Sequence, residues 1–193
     1  MKLLILGNGY SGCHLANQCL VSKFGQESIE KIHYYHNDSN NLYLHYLSKN
    51  ITTEYINKDK ARIPDEYLKL FRPDLIMSCG WAYLVPAEIV DSIPCYNFHP
   101  SLLPANRRKT FMNQNLNSKD YTGITLHRMN AVYDEGPIYK QIAFQISNAK
   151  NNIEFIMKGI KAMDILLNDF CSAYSESITL YPQELYRETI LYV

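Results

Sequence analysis

Apolar residues in this chain fall in short runs, several of them closed by glycine or proline, and the runs alternate with stretches of helical spacing. Leu3–Leu6 is the first run. Its continuity predicts a strand covered on both faces, as in parallel sheets. From Ser11 to Lys23 the apolar positions Leu15, Ala16, Cys19 and Leu20 follow a helical period. Ile32–Tyr35 predicts a second strand, Asn40–Ser48 a helix with Leu44 and Leu47 inward, and Thr52–Ile56 a third strand. A helix over Arg62–Phe71 is stopped ahead of Pro73. Asp74–Cys79 predicts a fourth strand ending at Gly80, Pro86–Ser92 a helix begun by its proline, and Cys95–His99 a fifth strand.

Strand alternating with helix argues for an open, doubly wound, mostly parallel α/β sheet. Beyond Pro104 the pattern changes to an antiparallel C-terminal portion. Gly123–Arg128 and Ile138–Ile146 predict longer strands. Asn151–Tyr174 predicts a terminal helix with Ile153, Ile156, Ile160, Met163 and Leu167 inward. The tyrosine-rich tail from Ile178 to Val193 is expected as a strand at the sheet edge, with an apolar surface that suits a homo-oligomer contact. No repeat or low-complexity linker interrupts the 193 residues, so a single domain over 1–193 is expected.

Composition narrows the function classes. Nineteen basic and nineteen acidic residues cancel, which argues against a nucleic-acid or anionic-membrane partner. Arg107-Arg108-Lys109 is the local exception. The N-terminal apolar run is too short for a signal segment or a membrane span. Five cysteines without Cys-x-x-Cys spacing argue against a disulfide framework or structural zinc, and for a reducing cytoplasm.

Gly7-Asn8-Gly9-Tyr10-Ser11-Gly12 follows a strand and opens a helix. Glycines let the backbone approach a ligand, and a helix N-terminus presents unpaired N–H groups, so an anion would suit this loop. Gly7, Asn8, Gly9 and Tyr10 are candidate substrate-binding residues. A dinucleotide site would add an acid at the end of the second strand, and Asp38 lies 26 positions past Gly12, a loose fit. A tight turn that needs glycine for backbone reasons alone is the third reading.

The richest chemistry lies in Asn97-Phe98-His99-Pro100-Ser101-Leu102-Leu103-Pro104. Side chains alternate along a strand, so Asn97 and His99 share a face and Phe98 takes the other. They sit at the carboxyl end of a predicted parallel strand, where open α/β sheets bind ligands. Ser101 lacks a Gly-x-Ser-x-Gly elbow and is expected to serve in capping or loop hydrogen bonding rather than as a nucleophile.

With Thr122-Gly123-Ile124-Thr125-Leu126-His127, then Asp134-Glu135-Gly136-Pro137-Ile138 and Gln141, these blocks resemble the folate-dependent formyltransferases. Pro73-Asp74-Leu75-Ile76 and Tyr83-Leu84-Val85-Pro86 fit the same pattern. The resemblance is close over residues 73 to 145 and weaker at the glycine loop. It implies a Rossmann-like enzyme whose co-substrate is 10-formyltetrahydrofolate, with no metal, and it assigns catalysis to Asn97, His99 and Asp134. Those residue types suit the chemistry. An amide N–H stabilises a tetrahedral oxyanion, a contribution of about 2.7–4 kcal/mol. An imidazole with an ordinary pKa near roughly 6.5 can move a proton, and a carboxylate can orient it. The resemblance also implies a pterin site at Trp81, Ala82, Tyr83, Leu84 and Val85 and at Asn130, Val132 and Tyr133, held largely through backbone groups. Met129 is expected as wall beside Val132, and His127 as structural or supporting.

The chain departs from the family just after Leu-Leu-Pro, where Arg108 stands in place of the usual glycine. Arg107, Arg108 and Lys109 would suit the phosphate or diphosphate of a nucleotide-linked acceptor; a solvated basic loop is the other reading. Of three amine acceptors, an aminoacyl-tRNA is set aside for want of a basic C-terminal domain. Glycinamide ribonucleotide is weakened by Lys158-Gly159-Ile160-Lys161-Ala162-Met163, where a Glu-His pair is expected. An amino sugar on a nucleotide is the expected acceptor, with glycinamide ribonucleotide as alternative. A nicotinamide-dependent oxidoreductase, a non-catalytic folate-binding protein and a hydrolase are the remaining readings.

Overall fold

The computed structural model describes residues 1–22, 30–36, 42–55, 63–109, 121–146, 152–174 and 177–192. Expectations placed on Lys23, Asp38, Asn40, Ile56, Arg62, Asn151 and Val193 lie outside the described residues. The chain divides into two compact units, Met1–Tyr96 and Asn97–Val193.

The first unit is built on four parallel strands: β1 (Lys2–Gly7), β2 (Lys31–His36), β3 (Ile51–Tyr55) and β4 (Leu75–Cys79). β2 and β4 flank β1, pairing Leu3 with Ile32 on one side and with Leu75 on the other, and β3 lies outside β2. Leu3 to Leu6 are fully buried, as expected of a strand covered on both faces. Because the chain reverses winding direction between β1 and β4, their carboxyl ends open a switch point, the usual ligand position in such sheets.

The helices of this unit are α1 (Gly9–Val21), α2 (Asp65–Phe71) and α3 (Ala87–Ser92). Asp65 and Glu66 occupy the first turn of α2, where acidic groups complement the dipole, and Arg72 ends it in the left-handed region ahead of Pro73. Pro86 caps α3 from outside instead of forming its first turn. The helix expected over Asn40–Ser48 is instead one 3-10 stretch, Leu42–Tyr46, with none of its residues buried. Asn17 of α1 supplies the reason. Its amide donates to the Tyr46 carbonyl (2.9 Å) and accepts from the Ser48 N–H (2.9 Å), so the segment is ended after a short turn.

β5 (Cys95–His99) begins in the first unit and ends in the second. The second unit contains β6 (Tyr121–Arg128), β7 (Ile138–Gln145), α4 (Asn152–Ala173) and β8 (Thr189–Tyr192). β6 and β7 are antiparallel, the C-terminal change of pattern that was expected, and β8 pairs in parallel with β7 as the expected edge strand. The fold is therefore a doubly wound, mostly parallel α/β fold with an antiparallel portion.

In α4, Ile160, Met163 and Leu167 are buried as expected and Ile156 is half-buried, so the departure is confined to the first turn. The helix's buried positions are Phe155, Ile160, Ala162, Met163, Leu166, Leu167, Phe170 and Cys171, whereas Ile153 is 72% exposed. Phe155 offers a larger apolar area than Ile153, and the helix turns to bury it. None of the helices is long and apolar enough to cross a membrane among the described residues.

Candidate active site

The second unit gathers Asn97, His99, His127 and Asp134. Phe98 lies in the core at 2% exposure while its two neighbours reach one polar cluster, as strand alternation requires. His99 Nδ1 is 3.4 Å from Asp134 Oδ1, with both side chains largely covered. His99 Nε2–H donates to the Asn106 carbonyl at 3.0 Å. Both ring nitrogens thus face oxygen atoms.

His127 completes the cluster from the end of β6, next to a register irregularity between Leu126 and His127 of the kind that re-aims side chains. Its Nδ1–H donates to the Arg128 carbonyl (3.0 Å), which leaves Nε2 as an acceptor for the Asn97 amide N–H at 3.2 Å. Burial, with the neighbouring His99 charge, pushes its pKa down to about 4 against the pull of Asp134, so the ring is neutral. The expected supporting role fits this geometry: His127 fixes the face that the Asn97 amide presents. The second Asn97 N–H is left over from that bond.

Asp134 sits on the turn between β6 and β7 with a left-handed backbone (φ 57°), where Asp is tolerated better than most residues. Burial alone would raise its pKa, but the His99 hydrogen bond and charge, the Arg108 N–H and His127 outweigh it and hold the carboxyl below its ordinary value. Gly136, two residues on, is obligatory: a Cβ there would stand 1.8 Å from the Arg128 carbonyl oxygen.

The three cations of the basic loop have different surroundings. Arg107 turns inward, its Nε–H and Nη2–H donating to Gln183 Oε1 at 2.9 and 2.7 Å, and it lies 3.4 Å from Glu184. Arg108 pairs with Glu135 at 3.5 Å. Its backbone is left-handed (φ 62°), the region that favours glycine, and its N–H donates to Asp134 Oδ2 at 2.8 Å. Lys109 is exposed.

A buried polar network anchors the loop between His99 and Pro104. Thr125 donates to the Ser101 carbonyl (2.6 Å) and accepts from the Leu103 N–H (3.1 Å), while Gln141 donates to the Leu103 carbonyl (2.7 Å). The Ser101 hydroxyl itself, fully buried, has no hydrogen-bond partner among the described residues. Its expected loop hydrogen bond is made by its carbonyl instead.

Near the same cluster, Asn130 Oδ1 accepts from the Val132 N–H at 3.0 Å and shapes a local turn. Val132 and Tyr133 there are exposed at 43% and 42%. Met129 is half-buried.

In the first unit the two expected loops meet at the switch point. The Asn8 N–H donates to the Cys79 carbonyl at 3.3 Å, and a Cβ on Gly80 would stand 3.2 Å from the Asn8 oxygen. Gly7 and Gly12 are explained by packing, since a Cβ on either would come within 2.9 Å of the other's Cα. Gly9 is different: its φ is +57° and nothing lies within 4 Å of a Cβ there, so the loop tip can approach a ligand. Tyr10 is 38% exposed and stacks on His14. Trp81 packs edge-on to Tyr83 (5.4 Å between centroids) and tilts against Tyr35. Ala82 and Leu84 are exposed, and Val85 is buried in the core at 1%.

The model of the family described as Formyl transferase matches residues 35–165. The chain belongs to the formyl transferase family. Among its relatives, a methionyl-tRNA formyltransferase of Fervidobacterium nodosum is 32% identical over 120 residues, 62% of this chain and 38% of that protein. The Thermotoga maritima protein of the same name is 37% identical over 95 residues, 47% of this chain and 29% of its own length. The chain therefore spans well under half of these relatives. Solved structures share the fold: a phosphoribosylglycinamide formyltransferase of Anaplasma phagocytophilum has a TM-score of 0.75 at 17% identity, covering all of this chain and 98% of that one. A sugar N-formyltransferase of Shewanella has a TM-score of 0.69 at 21% identity, covering all of this chain and 76% of that one.

Two participants in this family member's site escaped the sequence reading. Asn106 contributes only its carbonyl, which no residue type advertises. Gln183 lies in the tail, about 50 positions from Asp134 in a stretch whose composition suggested only an edge strand.

Proposed function

We propose that this chain transfers a formyl group from 10-formyltetrahydrofolate to a primary amine. The observation that carries the reading is the convergence of Asn97, His99 and Asp134, with the Asn97 amide held at 3.2 Å by a neutral His127. In this reading Asn97 gives its remaining N–H to the formyl oxygen as that oxygen gains charge. The amide does not have to reorganise at that moment, because His127 has already oriented it. His99, held by Asp134, passes a proton between the attacking amine and the departing folate nitrogen. Its Nε2–H must first exchange the Asn106 carbonyl for a reacting atom. The folate is a substrate here, and the turn at Asn130, Val132 and Tyr133 is what we assign to it.

The acceptor we favour is the amine of a nucleotide-linked amino sugar. Exposed Arg108 and Lys109 support a phosphate-bearing carrier. Methionyl-tRNA is the second reading, favoured by the names of the sequence relatives. Incubation with 10-formyltetrahydrofolate and a panel of amino-sugar nucleotides, glycinamide ribonucleotide and methionyl-tRNA tests both levels. Formylation of an amino-sugar nucleotide, falling about 10²–10³-fold in Asn97→Ala, is the expected result. Turnover of only another member overturns the acceptor, and no formylated product from any amine overturns the reaction.

A further inference from the structure

Gln183 makes every hydrogen bond that its amide allows. Oε1 accepts from the Nε–H and Nη2–H of Arg107 at 2.9 and 2.7 Å, and Nε2 donates to the carbonyls of Asp134 (2.7 Å) and Gly136 (2.9 Å). Only this orientation of the amide satisfies all four partners, because a guanidinium cannot accept and a carbonyl cannot donate. The side chain is 3% exposed.

The residues on its two arms are the strained ones. Arg108, adjacent to Arg107, and Asp134 itself are both non-glycine residues in the left-handed region, at φ 62° and 57°. Such conformations persist only where the surroundings over-determine them. Here one amide joins the two segments: it holds the loop through Arg107 and the turn through the Asp134 and Gly136 carbonyls. The Arg108 N–H and the Asp134 carboxylate then meet at 2.8 Å, and the other carboxylate oxygen faces His99.

Resting on the formyl-transfer reading, we propose that Gln183 is a positioning residue that locks the Arg107–Arg108 loop to the Asp134 turn. Through this lock, the charge partner of His99 and the cations beside the acceptor are set by one side chain from the C-terminal segment.

The test is spectroscopic, so it reads the lock whether or not the reaction assignment holds. In the full chain, carbon-13 NMR follows the titration of the Asp134 carboxyl, and nitrogen–proton correlation follows the Arg108 amide. The groups facing that carboxyl are His99, His127 and the Arg108 N–H, with Arg107, Arg108, Glu135 and Glu184 around the loop. Gln183→Met is expected to move the Asp134 titration upward and the Arg108 amide proton upfield, as their shared hydrogen bond loosens. Arg107→Met, acting on the other arm, is expected to move both in the same directions. Glu184→Gln, at a side chain that is 74% exposed, is expected to move neither. A folded Gln183→Met protein with both signals at their native positions overturns the proposal. If that variant does not fold, native signals in Arg107→Met overturn it equally. Failure of the acceptor panel with these shifts present would overturn the reaction and leave the lock standing.

Discussion

His127 shows how a single buried residue ties chemistry to stability. Burial and the His99 charge lower its pKa from 6.5 to about 4 in the folded chain. Between those values the unfolded chain binds a proton that the folded chain refuses, so stability rises with pH across that window. A fall from pH 6.5 to 4 therefore removes on the order of 3 kcal/mol of stability. His33, also lowered by burial and by Lys31, adds loss in the same direction. Asp134, held below its ordinary value, contributes stability that disappears only at still lower pH. Urea unfolding at a series of pH values checks this: His127→Gln should flatten a large part of the slope between pH 6.5 and 4, and an unchanged slope would contradict the neutral ring. What the sequence disclosed at this scale follows from local rules. Asn97 and His99 shared a face because strands alternate, but the His127 tautomer depends on the Arg128 carbonyl and could not be read from residue type. Arg108 was legible as a departure from glycine; its left-handed backbone and inward N–H belong to tertiary structure.

Among the elements, strands were the most legible, because buried parallel strands need continuous apolar runs. β5 matches its expected range, and β1 and β2 extend one residue beyond each expected end. Helices depended on what their side chains met. The Leu42–Tyr46 stretch was misread because the Asn17 amide captures its end. In α4 the helix and most of its inward face were legible, Ile160, Met163 and Leu167 being buried as expected, and only its first turn was misread, where Phe155 is buried and Ile153 exposed. The buried stripe gives a direct comparison. Phe155, at 6% exposure and edge-on to Phe144, should cost about 3–5 kcal/mol on truncation to alanine. Ile153, at 72% exposure, should cost within about 0.5 kcal/mol for the same change. Thermal or urea unfolding of the two variants decides the phase, and equal losses would place Ile153 back in the core.

Across the molecule, charge decides how far the acceptor readings can be separated. Nineteen basic residues balance nineteen acidic ones, and the loop that carries three adjacent cations is largely neutralised from within, Arg107 by Glu184 and Arg108 by Glu135. What this arrangement leaves exposed is the Arg108 and Lys109 side chains, enough to meet one or two phosphates and too few for a polyanion. Binding of a polyanion releases condensed counterions, so an acceptor held through six or more phosphates would weaken by about a thousandfold between 50 and 200 mM salt. A small acceptor with two phosphates at the same loop should change by about tenfold or less over that range. The measurement is KM for the formylated acceptor against salt concentration, with the folate saturating. A shallow dependence that flattens further in Arg108→Gln places the contact at this loop. A steep dependence would mean that a basic surface outside the Arg107–Lys109 loop carries the acceptor, and would move the assignment from a nucleotide-linked amine to a tRNA.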